Sequence, residues 1–341
     1  MNAALIGTGM VADTHVLACR DSDKVALAGV CATSIASARR YADRLDAEYG
    51  LQVQAYDDVA AVADDPSVDF AIIATPPNAR LDIVRALAEA GKPILMEKPL
   101  ERNLEAATAL VTLCDGRVPF GIVFQHRVRE ASIALLEKLP LLGPVQVVEI
   151  TVPWWRDQSY YDAPGRGTYT QDGGGVLITQ AIHTLDLALS LVGPVSSVQA
   201  FARTSASHEM EAEDFVSAGL EFANGAIGSL HASTASYPGG AEVITLHCAH
   251  ASAVLGNGVL TLNWRDGRTE QVGARAATGG GADPMAFTHA WHQSIIEDFS
   301  EAVKHGRPPL VPGREALQVH ALIDALTLSS KERKLIEVPH V

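Results

Sequence analysis

Two side chains in this sequence have the chemistry to move a proton beside a bound ligand. The first is Lys98, at the end of the run Ala90-Gly91-Lys92-Pro93-Ile94-Leu95-Met96-Glu97-Lys98-Pro99. An apolar strand there delivers a lysine between a carboxylate and a proline. Carboxyl ends of parallel strands in an open α/β sheet face the ligand crevice. A desolvated lysine holds or loses its proton near neutrality, and Pro99 favours a cis or sharply turned peptide that sets the lysine's direction. A surface lysine after any strand would look the same from this run alone.

The second is His183. The stretch Asp172-Gly173-Gly174-Gly175 leads into a mostly apolar helix running to about Val192, in which Thr179, His183, Asp186 and Ser190 recur at steps of four, three and four. That spacing lines polar groups along one face, and such a stripe on a buried helix costs free energy unless it is satisfied. A lone histidine reads first as a core residue with one satisfied nitrogen. The stripe and the glycine-rich entry, which lets another backbone or a ligand approach, move the assignment to a catalytic or substrate-binding His183. Its ordinary pKa of about 6.5 suits acid–base work. Asp186 either orients it or caps a local network.

The elements that must position these groups begin with a dinucleotide signature. Gly7-Thr8-Gly9-Met10-Val11-Ala12 follows the first apolar strand and opens a helix, in the pattern that turns tightly at the first glycine and admits a pyrophosphate at the second. Gly7, Thr8, Gly9, Met10 and Val11 are therefore cofactor candidates. The second strand ends in Cys31-Ala32-Thr33-Ser34 without the acid that binds an NAD ribose. Ala32, Thr33 and Ser34 then face a ribose or its 2′-phosphate, with Arg39 or Arg40 near in sequence, and the reading leans slightly to NADP over NAD. Ala74-Thr75-Pro76-Pro77-Asn78 ends the fourth strand and offers Thr75, Pro76 and Asn78. Glu97, Lys98 and Gln125 complete the cofactor set from the fifth and sixth strands.

A substrate wall is expected from Val152–Tyr169, rich in aromatic rings and arginine. Aromatic faces pack on sugar C–H surfaces and arginine forks bind oxyanions. Trp155, Arg156, Tyr161 and Arg166 are the candidates there, with Arg127, Lys98, Thr179 and His183 from the other segments. One of Trp154 and Trp155 is expected to pack at a strand edge. His289 and His292 follow a glycine-rich stretch and are further candidates.

Composition bounds the partners. The 341 residues carry 26 Lys and Arg against 40 Asp and Glu, a net charge of −14, which argues against nucleic acid and anionic membranes. No apolar run is long enough to span a bilayer, and the first residues read as a strand, not a leader. Cys19, Cys31, Cys114 and Cys248 lack CxxC spacing and the histidines show no HExxH pattern. No metal is expected, the thiols read as buried, and a cytoplasmic location fits.

Residues 1–123 alternate strands (Ala3–Ile6, Val25–Val30, Val53–Tyr56, Phe70–Ala74, Pro93–Met96, Val118–Val123) with helical segments near 10–20, 34–48, 57–64, 78–90 and 103–114. That order predicts a parallel Rossmann sheet covered on both faces. Residues 124–341 change character. After a helical stretch at 128–139 come β runs at Val145–Trp154, Val195–Thr204, Phe215–Phe222, Ala226–Thr234, Glu242–Cys248, Val259–Trp264 and Thr269–Val272. Several are joined by Asn-Gly or Asp-Gly turns, the mark of hairpins. The second domain is therefore α/β with a mostly antiparallel sheet and helices at 175–192, 289–304 and 313–329. The last helix is a candidate to pack back on the first domain. Thr278–Pro284 reads as a mobile loop.

With these residues assembled, the chain resembles the glucose–fructose oxidoreductase / inositol dehydrogenase (Gfo/Idh/MocA) family. The resemblance rests on GTGMVA at 7–12, ATPPN at 74–78, AGKPILMEKP at 90–99, GGGVLITQAIHTLD at 173–186 and DFSEAVKHGRPPLV at 298–311. It implies an N-terminal Rossmann domain and a C-terminal α/β domain whose large open sheet commonly forms an oligomer interface, hence a homodimer or homotetramer. It also implies that Lys98 and His183 act at the carbinol of a carbohydrate or polyol substrate. Two positions depart from the family pattern: Thr179, where polyol dehydrogenases often carry Asp, and Arg80, where many members have histidine. The expected activity is hydride transfer between NAD or NADP and a secondary alcohol or ketone carbon of a sugar, cyclitol or sugar acid. The competing readings are a glycosidase using transient oxidation by held NAD, and a non-catalytic sugar or dinucleotide sensor.

Overall fold

The computed structural model describes residues 1–276, 285 and 287–341, so the segment 278–284, expected as a loop, lies outside the described residues. Cα packing divides the chain into two compact units. The first comprises Met1–Glu101, Glu105–Gln125 and His289–Ala316, and the second Arg102–Leu104, His126–Thr288 and Leu317–Val341.

In the first unit, six strands form one sheet. They are β1 (Asn2–Ile6), β2 (Ala26–Cys31), β3 (Gln54–Tyr56), β4 (Phe70–Ile73), β5 (Ile94–Glu97) and β6 (Phe120–Val123), in the order β3-β2-β1-β4-β5-β6. Every pairing is parallel, the Rossmann arrangement. The central strands β1, β4 and β5 are apolar apart from Asn2 and Glu97, and only Asn2 among their residues is exposed, as sheets covered on both faces require. The helices α1 (Ala12–Arg20), α2 (Ile35–Tyr49), α3 (Val59–Asp64), α4 (Arg80–Glu89) and α5 (Leu104–Cys114) connect them.

The helix Ala290–His305, read from sequence with the second half, packs in this unit instead. Its buried stripe of Ile295, Ile296, Phe299 and Ala302 supplies the reason. The Phe299 ring lies 5.3 Å from that of Phe70, in space left by Gly121, where a Cβ would meet Phe299 at 2.8 Å. The following segment pairs along β6, with Ile122 donating to Val311 and Gly313 to Phe120. That extended pairing is why the last helix starts at Leu317 and not at 313.

In the second unit, α6 (Glu130–Leu142), α7 (Gln158–Tyr161), α8 (Ile182–Val192) and α10 (Leu317–Glu332) accompany a nine-stranded sheet; α9 is the Ala290–His305 helix above. The strands are β7 (Val145–Pro153), β8 (Val195–Arg203), β9 (Phe215–Phe222), β10 (Ile227–Ser233), β11 (Val243–Cys248), β12 (Ala251–Gly256), β13 (Val259–Trp264), β14 (Thr269–Gly273) and β15 (Ile336–Glu337). Their order is β14-β13-β12-β11-β7-β10-β9-β8-β15. All pairs are antiparallel except β7 with β10. Strands β12 and β15 escape the sequence reading. Ala251-Ser252-Ala253 has little β propensity, and a two-residue strand has no period. Burial alternates along β9, β11 and β12, as one covered face demands. Asn224-Gly225, Asn257-Gly258 and Asp266-Gly267 all sit at strand junctions.

Candidate active site

In the first unit, the candidate cofactor residues follow the carboxyl ends of β1, β2, β4, β5 and β6. Gly7 has φ +103°, and a Cβ there would stand 2.9 Å from the Ala74 backbone, so only glycine lets the turn pass beside β4. Gly9 has nothing within 4 Å of its Cβ position. Thr8 and Val11 are half-buried, whereas Met10 is exposed. This is open space before the start of α1, where Ala12 N–H closes a tight turn onto Gly9 O at 3.0 Å and the positive end of the helix faces the strand ends. Two orphaned atoms share that edge. The Thr75 hydroxyl and the Gln125 Oε1 are buried without a protein hydrogen-bond partner among the described residues. Pro76 and Asn78 are exposed beside Thr75. These observations fit a dinucleotide laid across the strand ends.

The end of β2 differs from the sequence expectation. Ser34 caps α2, accepting from Ser37 N at 3.3 Å, and Arg40 donates to Ser37 Oγ. Neither forms a phosphate pocket with Ala32 and Thr33. Asp57 and Asp58 follow β3, whose Tyr56 pairs with Cys31 of β2. Burial, then Asp58 and Asp57, push the Cys31 thiol up to about 11. Acidic charge thus reaches the end of β2 from the neighbouring strand, so the lean to NADP loses its basis.

Glu97 is also corrected. Its side chain is buried beneath the strand end. Glu97 Oε1 accepts from His15 Nε2 at 2.9 Å and lies 3.3 Å from His292 Nε2. Burial alone would raise this carboxyl; the His15 and His292 hydrogen bonds outweigh it and hold the carboxyl well below the usual range. Burial pushes His292 down, outweighing the Glu97 bond. The three side chains have the residue types of a metal site. With Nε2 protonated, however, His15 Nδ1 is left as an unfilled acceptor, a smaller cost than the buried unfilled donor that a metal on Nε2 would leave. The three form a hydrogen-bonded triad. His289, the other histidine of that segment, pairs with Asp21 at 2.8 Å on the surface.

Lys98 follows β5, half-buried, in a cis peptide with Pro99. Its N–H donates to Glu97 Oε2 at 3.1 Å. Beneath the same turn lies Arg80, 2% exposed. It donates to the carbonyls of Thr75, Glu97, Pro99 and Leu100.

In the second unit, His183 and Asp186 are 5% and 2% exposed on α8. The expected straight stripe is broken. Leu177–Ala181 is a π-helical turn, and Thr179 Oγ1 donates back to Gly175 O at 2.6 Å, beside the Gln180 side-chain amide. Ser190 likewise returns to Leu187 O. Two polar groups remain facing outward from the helix, and consecutive residues meet them. The His126 ring stacks on His183 with centroids 4.9 Å apart. Arg127 forks onto both oxygens of Asp186 at 2.7 Å. Asp186 is thus the anchor of Arg127. The glycine run admits backbone: a Cβ on Gly175 would stand 1.8 Å from Glu213 O. The buried Glu213 carboxyl, which burial raises, accepts from Gly175 and Leu177 N–H and caps this helix. Sequence reasoning missed Glu213 as a partner of the helix and, while it turns Gln125-His126-Arg127 toward the crevice, gives no sign that His126 stacks on His183, since both pairings are set by tertiary packing.

The expected wall splits. Trp154 is buried, donating to Glu242, while Trp155 is half-buried beside Tyr237 and His208. Tyr161 is turned inward, its hydroxyl 2.6 Å from Thr234 Oγ1, so it is part of the core. Arg156 is buried between the Trp154 and Tyr160 rings. Arg166 lies over Tyr160 and 3.7 Å from Asp172. His208 faces Asp214 Oδ2 and the Arg156 carbonyl at 2.7 and 2.9 Å, pinning this strap. A cavity of about 460 Å³ lies elsewhere, beside β8 and β15, lined by Val195, Glu221, Leu322 and His340. No candidate residue lines it.

The sheet order, the glycine turn and the orphaned strand-end groups define a Rossmann dinucleotide-binding protein with an added α/β unit. A family model described as oxidoreductase family, NAD-binding Rossmann fold, matches residues 1–118, and one for the GFO/IDH/MocA C-terminal domain matches residues 141–254. The chain belongs to the Gfo/Idh/MocA family of oxidoreductases. It is 27% identical over 349 residues to an inositol 2-dehydrogenase of Rhizobium meliloti (strain 1021), covering 98% of each chain. It is 27% identical over 342 residues to a levoglucosan dehydrogenase of Pseudarthrobacter phenanthrenivorans, covering 83% of each. Among solved structures, the WlbA dehydrogenase from Bordetella pertussis in complex with NADH and UDP-GlcNAcA is similar. Its TM-score is 0.82 at 26% identity, covering 100% of this chain and 98% of that one.

Proposed function

We propose that this protein transfers hydride reversibly between NAD(H) and a secondary alcohol or ketone carbon of a sugar, cyclitol or sugar acid. The observation that carries the reading is Lys98. In a chain of this family, it stands at the strand-end edge that also holds the orphaned Thr75 and Gln125 atoms. The names of the relatives, inositol 2-dehydrogenase and levoglucosan dehydrogenase, support the substrate class.

Gly9 and the turn into α1 bind the pyrophosphate through backbone N–H groups, while Gly7, whose own N–H donates to Cys31 O at 2.9 Å, makes the turn. Thr75 and Gln125 take polar groups of the dinucleotide. The bound nicotinamide supplies the hydride acceptor or donor. In oxidation His183 or Lys98 takes the hydroxyl proton as hydride leaves, and in reduction the same group returns it, because Thr179 offers no carboxylate for it; with His183 as the acceptor, Lys98 stays an ammonium. The Lys98 ammonium also stabilises a developing alkoxide by oriented charge. Asp186 positions Arg127 for substrate oxygen atoms through its bidentate grip. Trp155 and Arg166 form the outer part of the sugar wall.

The outer face of the second unit's sheet exposes Phe201 and Ile227, and we assign it to self-association as a homodimer or homotetramer; light scattering on purified protein tests this. The reaction is placed in the cytoplasm, in keeping with four free buried cysteines. Among the described residues, no helix is long and apolar enough to cross a membrane.

The test is dialysis, a fluorescence titration with NADH and NADPH, and a screen of polyols, aldoses and sugar acids with each cofactor. Net NADH formation on one of them, lost in Lys98→Met and in His183→Ala by about a hundredfold or more, supports the reading. Turnover that survives both substitutions contradicts it. Cofactor that survives dialysis with no net NADH release points to transient oxidation in a glycosidase. Ligand binding without turnover points to a sensor.

A further inference from the structure

We infer that Arg80 is a positioning residue for Lys98: its guanidinium, buried under the strand ends, fixes the backbone on both sides of the lysine. The inference rests on the proton-handling role proposed for Lys98.

The geometry is specific. Arg80 Nη1 donates to the Glu97 carbonyl at 2.5 Å and also to the Pro99 carbonyl, and it reaches Leu100 O at 3.5 Å. Nε and Nη2 both donate to Thr75 O, at 3.0 and 2.7 Å. One planar group thus collects the carbonyls before and after Lys98 and ties them to the end of β4. The Lys98 N–H goes to Glu97 Oε2. Glu97 is in turn held by His15, on the helix that follows the glycine turn, and by His292. The flanking backbone is pinned from both sides, so motion at Lys98 is left to its side chain.

Burying a cation against carbonyls alone is costly. Burial lowers the Arg80 guanidinium to about 10, with Glu97 and Glu101 opposing the shift, so it stays charged at neutral pH. Five donors in a fixed fork suit this task. Lysine or histidine cannot reach three carbonyl groups in one plane. The sequence placed a helix start at this position and no signal in it predicts the clamp, because Thr75, Glu97 and Pro99 converge on Arg80 through the sheet.

The test uses the full chain with its lysines reductively methylated with ¹³C. The Lys98 resonance is assigned by its loss in Lys98→Arg. Two variants are compared, Arg80→Met and Arg80→His, the latter being the residue that many family members carry there. The expected result is that both variants stay folded and bind NADH within about threefold of wild type. Their Lys98 resonance moves toward the exposed-lysine cluster and broadens. Guanidinium at sub-denaturing concentration restores its position in Arg80→Met in a saturable way. Turnover on the sugar that wild type oxidises falls about tenfold or more and recovers with the same guanidinium. A folded Arg80→His whose Lys98 resonance and titration match wild type overturns the inference, whatever Arg80→Met does. Wild type that oxidises no sugar overturns the functional reading, and the resonance still decides the role of Arg80.

Discussion

Arg127 and Asp186 meet as a bidentate pair, with both nitrogen–oxygen distances at 2.7 Å. The Asp186 side chain is 3% exposed and that of Arg127 is 12%. Removing one partner from such a pair strands a buried charge, which costs about 3–5 kcal/mol. Asp186→Ala should therefore lose stability on that order in urea unfolding. The double variant Arg127→Met with Asp186→Leu should recover most of it, since a packed apolar pair replaces the charges. A double variant as unstable as the single one would contradict the pair's role as an anchor.

The two glycines of the dinucleotide turn should fail differently. Gly7→Ala places a Cβ against Ala74 at a positive φ, so it should destabilise the fold by about 1–3 kcal/mol. Gly9→Val meets open space in the protein and should keep its melting temperature, yet weaken NADH binding at least tenfold by filling the pyrophosphate approach. Paired melting and fluorescence titrations check this. Unimpaired NADH binding in Gly9→Val would remove the dinucleotide from that position.

Acid should weaken the first unit in two windows. His292 is held neutral, its pKa lowered from 6.5. Below that value the unfolded chain takes a proton that the native chain refuses. Its contribution falls toward acid by up to about 1.4 kcal/mol per pH unit. Glu97 is lowered from 4.5. Its contribution is complete above that value and is lost as pH drops toward the depressed native one. His292→Gln should flatten the pH–stability curve between 6.5 and 4.5, as read by denaturant unfolding across pH. An unchanged slope there would assign the acid sensitivity to other groups.

These buried groups mark where the sequence stopped being informative. The βα alternation over residues 1–123 and the Asn-Gly and Asp-Gly turns are local signals, and the strands they announced are present. Glu97 looked like a crevice residue because strand-end position says nothing about which way a side chain turns. It turns inward because His15 and His292, far away along the chain, wait there. The stripe of Thr179, His183, Asp186 and Ser190 assumed a uniform α-helical period. One π turn at Leu177–Ala181 and two hydroxyls that return to their own helix reduce it to His183 and Asp186. Tyr161 was assigned by composition, which cannot separate a wall facing a ligand from one facing Thr234.

Cofactor choice turns on charge near the end of β2. Asp57, beyond β3, should repel a 2′-phosphate. Asp57→Asn should tighten NADPH binding several-fold and leave NADH within about twofold. Equal effects on the two cofactors, by fluorescence titration, would place Asp57 away from the adenosine ribose.

The most direct test of the account is a crystal structure with NADH and the polyol or sugar found in the substrate screen. The account predicts Lys98 Nζ and an imidazole nitrogen of His183 within about 3.2 Å of one substrate hydroxyl, its carbon about 3–3.5 Å from nicotinamide C4. A reacting hydroxyl bound by neither residue, or a nicotinamide ring seated away from Lys98, would contradict it.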